Sequence, residues 1–307
     1  MKKKKILIIG GGYSKEREIS LMTAKSVERE LCKNKKYIIK KVDPSYGLIS
    51  TLKKYKPDVV FNALHGQFGE DGYIQSILES QKIKYTHSGV LSSFMAMDKE
   101  ISKKIFIKNN ILTPKFIKFI FEKKLDSKLI KLVQNKLQFP VVVKPLNEGS
   151  SVNVYICNQQ NFIKNLRKLK TYKEILIEKY IPGREIQVAI MGNKKIGAIE
   201  LKPKRKFYDY EAKYNPKAKT QHIIPVQIDP KQLDKVNNIA LKAHKLLKCK
   251  GVTRSDFRYF KGKFYLLEVN TQPGMTSLSL VPEIAKHNKI SFLNLIEWMI
   301  SDASVKR

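Results

Sequence analysis

The sequence has no unbroken apolar run of about eighteen residues, so none of its helices is expected to span a bilayer. Cysteine is scarce: Cys32, Cys157 and Cys249 fit no metal spacing and are too few for a disulfide framework. That scarcity points to a reducing cytoplasm. Acidic residues are also few, with 27 Asp and Glu against 60 Lys and Arg and a formal charge of +33. Such an imbalance invites a nucleic-acid reading. However, most of the excess is lysine spread along the whole chain, and the densest runs (Lys2–Lys5, Lys33–Lys41, Lys202–Lys206) lie far apart without interleaved aromatics. Solvated surface lysine with no specific nucleic-acid partner is the favoured reading, although an anionic substrate would still benefit from the field. Internal repeats, low-complexity linkers, a GxGxxG fingerprint and a GxxxxGK[ST] loop are all missing. The opening MKKKKILIIGGG is no secretory leader, because its apolar stretch is too short and glycines stand where a cleavage site should be.

What is present is enough for more than one compact unit: 307 residues, 42% of them hydrophobic, predict two or three domains. Strands at 6–10, 37–42 and 58–63 alternate with helices at 18–32 and 73–80. This βαβ alternation over roughly the first 95 residues predicts a small doubly wound parallel sheet. A lysine-rich helix from Met97 to Asn109 leads into a second unit, with Pro114 at the break. FPVVVKP and 175–181 read as strands, the latter closed by Pro182-Gly183. EIQVAIM and KIGAIEL are further strands, followed by a helix at 230–248. FRYFKGKFYLLEV is a hairpin turning at Lys261-Gly262, and a last helix starts at Ser291.

Several groups of residues carry chemistry, and each also has a plainer reading. Asp256, Glu268 and Asn270 lie in the hairpin, with Glu268 and Asn270 on one strand face; two carboxylates and an amide oxygen suit Mg²⁺ holding phosphates. The plainer reading is three polar residues facing water. Lys144, after three apolar strand residues and before Asn147–Ser151, suits a phosphate beside a glycine-serine loop, or else is an exposed strand end. The strand ending Glu178–Ile181 offers backbone groups to an adenine edge, or is an ordinary buried strand. The stretch from Phe207 to Tyr214 suits a loop closing over a substrate, or a surface loop packed on itself. Gly10–Gly12 with Glu16, and His65 to Gly72, follow parallel strands where open α/β sheets bind ligands, although His65 reads equally well as structural.

In this order, SKEREISL, ALHGQFGEDG, TPKF, FPVVVKP-x-x-EGSSV, LIEKYIPGRE, FYDYEAKY, CKGVTRSDF and FYLLEVNTQPGMTSLSLVP resemble the D-alanine–D-alanine ligases of the ATP-grasp family. The resemblance covers almost the entire chain. HGxxGEDG with NTxPGMTxxSLxP is its most specific part.

The resemblance implies an α/β ATP-grasp fold with an N-terminal doubly wound parallel-sheet domain. Its units would be residues 1–95, 96–182 and 183–307, with ATP between the second and third. It further implies that Lys99 and Lys144 contact ATP phosphates and that Glu178, Lys179, Tyr180, Ile181 and Glu185 hold adenine and ribose. Asp256, Glu268 and Asn270 would bind two Mg²⁺ or Mn²⁺ ions. Glu16 would take the ammonium of the first D-alanine, and Arg254 with the Gly274 amide would stabilise an oxyanion. His65, Ser279 and Lys213 would surround the second substrate and the transferred phosphate, and Ser150 and Tyr214 would form a hydrogen-bonded set with Glu16. The activity implied is the joining of two D-alanine molecules through a D-alanyl phosphate for peptidoglycan precursors, in a cytoplasmic homodimer. The alternative is a ligase with another acceptor such as D-lactate, against which Tyr214 in an EAKY sequence argues. Tyr13 and Leu278 depart from the family pattern without replacing a residue that has an assigned role.

Overall fold

A computed structural model describes residues 3–45, 47–122, 125–149, 153–203, 220–276 and 279–307. Its first sheet is parallel, in the order β2-β1-β3, from β1 (Lys4–Ile9), β2 (Tyr37–Val42) and β3 (Val59–Asn62). Strand β1 reads as continuous apolar sequence because both of its faces are covered. Ile6 and Ile8 pack with α1 (Arg17–Leu31) and with Leu295, Met299 and Ile300 of the last helix. Leu7 and Ile9 turn the other way, onto Leu48 and Leu52 of α2 (Leu48–Tyr55) and Ile74 and Leu78 of α3 (Tyr73–Ser80). The beginning and the end of the chain therefore share one core.

The helix expected from Met97 to Asn109 is present, and a second, unexpected helix precedes it. α4 (Val90–Met97) stops at Asp98, whose backbone is extended and whose Oδ1 accepts the N–H groups of Glu100 and Ile101 at 2.9 Å. This side-chain cap starts α5 (Lys99–Lys108) in a new direction.

The second sheet is antiparallel, β4-β7-β5-β6, from β4 (Phe116–Ile120), β5 (Val141–Pro145), β6 (Tyr155–Cys157) and β7 (Glu174–Lys179), packed on α6 (Ser127–Lys136) and α7 (Phe162–Lys168). The third is also antiparallel, β10-β9-β8-β11-β12. It consists of β8 (Arg184–Met191), β9 (Lys194–Lys202), β10 (Gln221–Ile223), β11 (Val252–Phe260) and β12 (Lys263–Asn270). Helix α8 (Pro230–Leu246) covers one face, and α9 (Leu280–His287) and α10 (Phe292–Asp302) lie on the other, toward the first sheet. Among the described residues no helix is long and apolar enough to cross a membrane.

Candidate active site

The antiparallel register of β11 with β12 sets Asp256 opposite Glu268 and Arg254 opposite Asn270. Residues opposite each other or two apart share a face, so these four form one patch. Arg254 grips Asp256 by two bonds, Nε to Oδ1 at 2.8 Å and a terminal nitrogen to Oδ2 at 3.0 Å. The Asn270 Oδ1 accepts the Gln272 N–H at 2.9 Å. Two carboxylates and an amide oxygen are the hard donors a divalent ion takes, so the residues present fit Mg²⁺ or Mn²⁺. A cation there would compete with Arg254 for Asp256.

Three lysines converge from the other side. Lys99 donates to the Glu148 carbonyl at 2.6 Å and lies 3.6 Å from Glu268. Lys144 pairs with Glu178 Oε1 at 2.6 Å, and Lys103 stands 3.0 Å from the other oxygen. Thus Glu178 and Lys144, found separately in the sequence, are a single buried pair. The neighbouring members of the expected adenine strand make further contacts within the protein. The Lys179 ammonium reaches the Gln138 carbonyl at 3.0 Å, and the Tyr180 N–H reaches the Pro140 carbonyl at 3.2 Å. Strand β7 ends at Lys179, so Tyr180 and Ile181 belong to the turn before β8. Glu185, on β8, lies 3.7 Å from Arg258.

Loops after β1 and β3 bring in the remaining groups. A Cβ on Gly66 (φ +68°) would fall 2.6 Å from Glu16 Oε2, and one on Gly149 would fall 2.9 Å from the same oxygen. Only glycine lets the β3 loop and the β5 loop close around Glu16. Glu70, two turns of loop further on, accepts the Gly66 N–H at 2.7 Å. Burial and the neighbouring Glu16 carboxylate push Glu70 well above the ordinary carboxyl range. His65 meets the Thr23 hydroxyl at 2.9 Å through Nε2. Burial pulls its imidazole down to about 4, against the hydrogen bond it donates to the Gln272 backbone and with the help of the Arg254 charge. Gln272 ties the β12 loop to the first sheet, bonding the Asn62 side chain at 2.8 Å and the Leu64 carbonyl. Beyond it, the Ser279 Oγ accepts the Thr276 N–H at 3.0 Å, close against Gly274. The Gly11 N–H donates to Ser20 Oγ at 2.8 Å, and Gly12 is held by Asp43, just past β2, whose Oδ1 accepts the Gly12 N–H at 3.1 Å and whose Oδ2 pairs with Arg17 at 2.6 Å. Both oxygens of this acidic residue after β2 are thus engaged by the protein.

Pairing and register thus join Lys99, Arg254, Asp256, Glu268 and Asn270, and Lys144 with Glu178, while Glu16 and His65 sit on the loops after β1 and β3. Ser150, Lys213 and Tyr214, together with the rest of the stretch from Phe207 and the departing Leu278, lie outside the described residues. The sequence reading passed over Lys103 and Gln272. Lys103 sits four residues after Lys99 and so shares its helix face; in ISKKIFIK nothing else separates it from the solvated lysines around it.

The family profile described as D-ala D-ala ligase C-terminus matches residues 105–301, and that described as D-ala D-ala ligase N-terminus matches residues 40–88. The D-alanine–D-alanine ligase of Pelagibacter ubique (strain HTCC1062) is 66% identical over 99% of both chains. The D-alanine–D-alanine ligase B of Mesorhizobium japonicum is 43% identical over 100% of both. Among solved structures, a D-alanine–D-alanine ligase from Bacillus anthracis superposes with a TM-score of 0.86 at 37% identity, over 97% of each chain. The same enzyme complexed with ATP gives 0.83 at 33% identity, again over 97% of each.

Proposed function

The chain belongs to the D-alanine–D-alanine ligase family and ligates two D-alanine molecules; on that premise we propose which of its residues do the work and how. The observation that carries the assignment is the single face of β11 and β12 where Arg254, Asp256, Glu268 and Asn270 stand together, with Lys99 reaching Glu268. A carboxylate resists attack by an amine because oxide is a poor leaving group. Transfer of the γ-phosphate of ATP to the first D-alanine gives a D-alanyl phosphate, whose leaving group is good. Lys99 and Lys144 orient the triphosphate and offset its charge, and Asp256, Glu268 and Asn270 would hold Mg²⁺ or Mn²⁺, two ions per site. Those ions, when bound, neutralise charge that develops on the phosphates. Glu16 holds the ammonium of the first D-alanine. The amine of the second then displaces phosphate, while Arg254 and the Gly274 N–H stabilise the tetrahedral oxyanion.

Glu178 to Ile181 with Glu185 bind adenine and ribose. His65, Ser279 and Lys213 surround the second substrate, and Ser150 and Tyr214 close the set around Glu16. Units of 1–95, 96–182 and 183–307 are supported by the three sheets, whose strands fall within 4–62, 116–179 and 184–270. The enzyme works in the cytoplasm on peptidoglycan precursors, where ATP and D-alanine are at hand. A homodimer is supported by exposed Tyr73, Leu91 and Phe94 on the adjoining helices α3 and α4.

The test is ADP release and product analysis with Mg²⁺, ATP and D-alanine, L-alanine or D-lactate. Phosphate and D-alanyl-D-alanine are expected with D-alanine alone. A purified, folded chain that yields neither would refute the activity, and depsipeptide made with D-lactate in preference would move the assignment to that acceptor.

A further inference from the structure

Helix α5 carries two buried lysines one turn apart, and the second has no role in the mechanism above. The Lys103 side chain is wholly out of solvent. An uncompensated ammonium is not sustained in such a place, and the contacts show what compensates it. Its Nζ donates to the Thr113 hydroxyl at 2.7 Å and lies 3.0 Å from Glu178 Oε2. The Thr113 hydroxyl in turn donates to the Leu266 carbonyl at 2.7 Å, two residues before Glu268 on β12. The other carboxylate oxygen of Glu178 takes Lys144 at 2.6 Å. One buried carboxylate thus faces two ammonium groups, one on each oxygen.

The energetics of this trio are lopsided. Burial alone would raise the Glu178 carboxyl, yet Lys103 and Lys144 outweigh it and hold the group below its usual range. Burial drives Lys103 down to about 8, against the pull of Glu178 and with the push of Lys144. Lys144 is the group that the proposed function sets against a phosphate, and its ammonium is paired with Glu178. Turning toward a triphosphate loosens its hold on Glu178, and a buried carboxylate losing its partner resists that move strongly.

We propose that Lys103 is the standing counter-ion of Glu178, a positioning residue that keeps this carboxylate satisfied while Lys144 is handed over to the triphosphate. The inference rests on the phosphate role given to Lys144 above. Through Thr113 the same ammonium is fixed to the strand that carries Glu268, so the counter-ion keeps its place relative to the carboxylates around the phosphates.

The experiment measures binding by calorimetry, with ATP and with magnesium tripolyphosphate, a probe that has no base and so does not sense adenine contacts. Lys103→Met leaves Lys144 as the only ammonium on Glu178 among the described residues, and both ligands should bind at least about tenfold more weakly. Adding Glu178→Gln removes the anion that competes for Lys144, and tripolyphosphate should return to within about threefold of the wild type. A lysine that only filled space would give a double variant as weak as Lys103→Met or weaker. That result, or a single variant within about twofold of the wild type, overturns the proposal. If near-UV circular dichroism shows that Lys103→Met does not fold, Lys103→Gln takes its place with the same expectations, since it keeps a donor for Thr113 and loses the charge. Failure of the ligase reading would appear elsewhere, as absence of dipeptide from the wild type, and leaves these affinity ratios intact.

Discussion

Arg254 and Asp256 lie two residues apart on one strand and are paired with each other. Asp256 and Glu268 would hold the cation that offsets phosphate charge, and Arg254 on the same face would stabilise the oxyanion. Arg254→Ala should therefore lower kcat about 100-fold or more while changing ATP affinity little. Steady-state kinetics beside calorimetric ATP titration checks this, and a defect confined to nucleotide affinity would remove Arg254 from the oxyanion role. The buried histidines make a second prediction. His65 and His244 are held at about 4 and His87 at about 3, in each case by burial first. Each folded value lies below the 6.5 of an exposed imidazole, so the unfolded chain binds more protons as pH falls below 6.5. The stability they contribute is complete above that pH and is lost as it drops toward 4. Urea denaturation at pH 7 and pH 5 should show the lower midpoint at pH 5; equal midpoints would count against neutral, buried histidines.

At the level of elements, the sequence was most legible where the apolar pattern was strong. The first sheet, the 252–270 hairpin and the long helix at 230–246 lie close to where the periodicity puts them. Helices such as α6 were not anticipated, because SKLIKLVQNK buries only Leu129 and Val133 and its lysines blur the helical repeat. Helix α4 was not anticipated either, because it buries Ser92, Ser93 and Ala96 while its large apolar residues Leu91 and Phe94 stay exposed. For the site, residue types at loop positions were readable, but the Lys103–Glu178–Lys144 trio was not, since it joins three elements through tertiary contact alone. Gly183, in the turn from β7 to β8, shows how tightly the second and third sheets are joined. It has φ +105°, and a Cβ there would stand 2.3 Å from the Tyr259 carbonyl oxygen, a backbone atom with little room to yield. Gly183→Ala combines an unfavourable conformation with a clash, so a loss of about 2 kcal/mol or more is expected. In a thermal melt this corresponds to a Tm lower by about 4 °C or more. An unchanged Tm would mean that the turn between the two sheets relaxes freely.

Over the whole molecule, the formal charge of +33 is too large to ignore and too dispersed to define a partner. Its lysines are largely solvated; Lys33 and Lys36, for example, have more than half of their side chains exposed although each pairs with a glutamate. A positive field of this kind acts on every anion that approaches, ATP included, and it acts on encounter rather than on the bound complex. Inside the cleft, the charges that hold phosphate are buried and weakly screened, so salt should leave kcat nearly unchanged. Outside it, the Debye length shrinks from about 10 Å at 0.1 M salt to about 3 Å at 1 M. The prediction is that kcat/KM for ATP falls severalfold as potassium chloride rises from about 0.05 to 0.5 M, whereas kcat stays within about twofold. Replacing Lys33, Lys35 and Lys36 by glutamate, far from the proposed site, should flatten that dependence without changing kcat. The same substitutions should weaken nonspecific DNA binding in parallel, because both effects arise from one field. If salt lowered kcat as strongly as kcat/KM, it would be reaching the buried lysines themselves. The division between a dispersed outer charge that gathers nucleotide and a few inner cations that hold it would then be wrong.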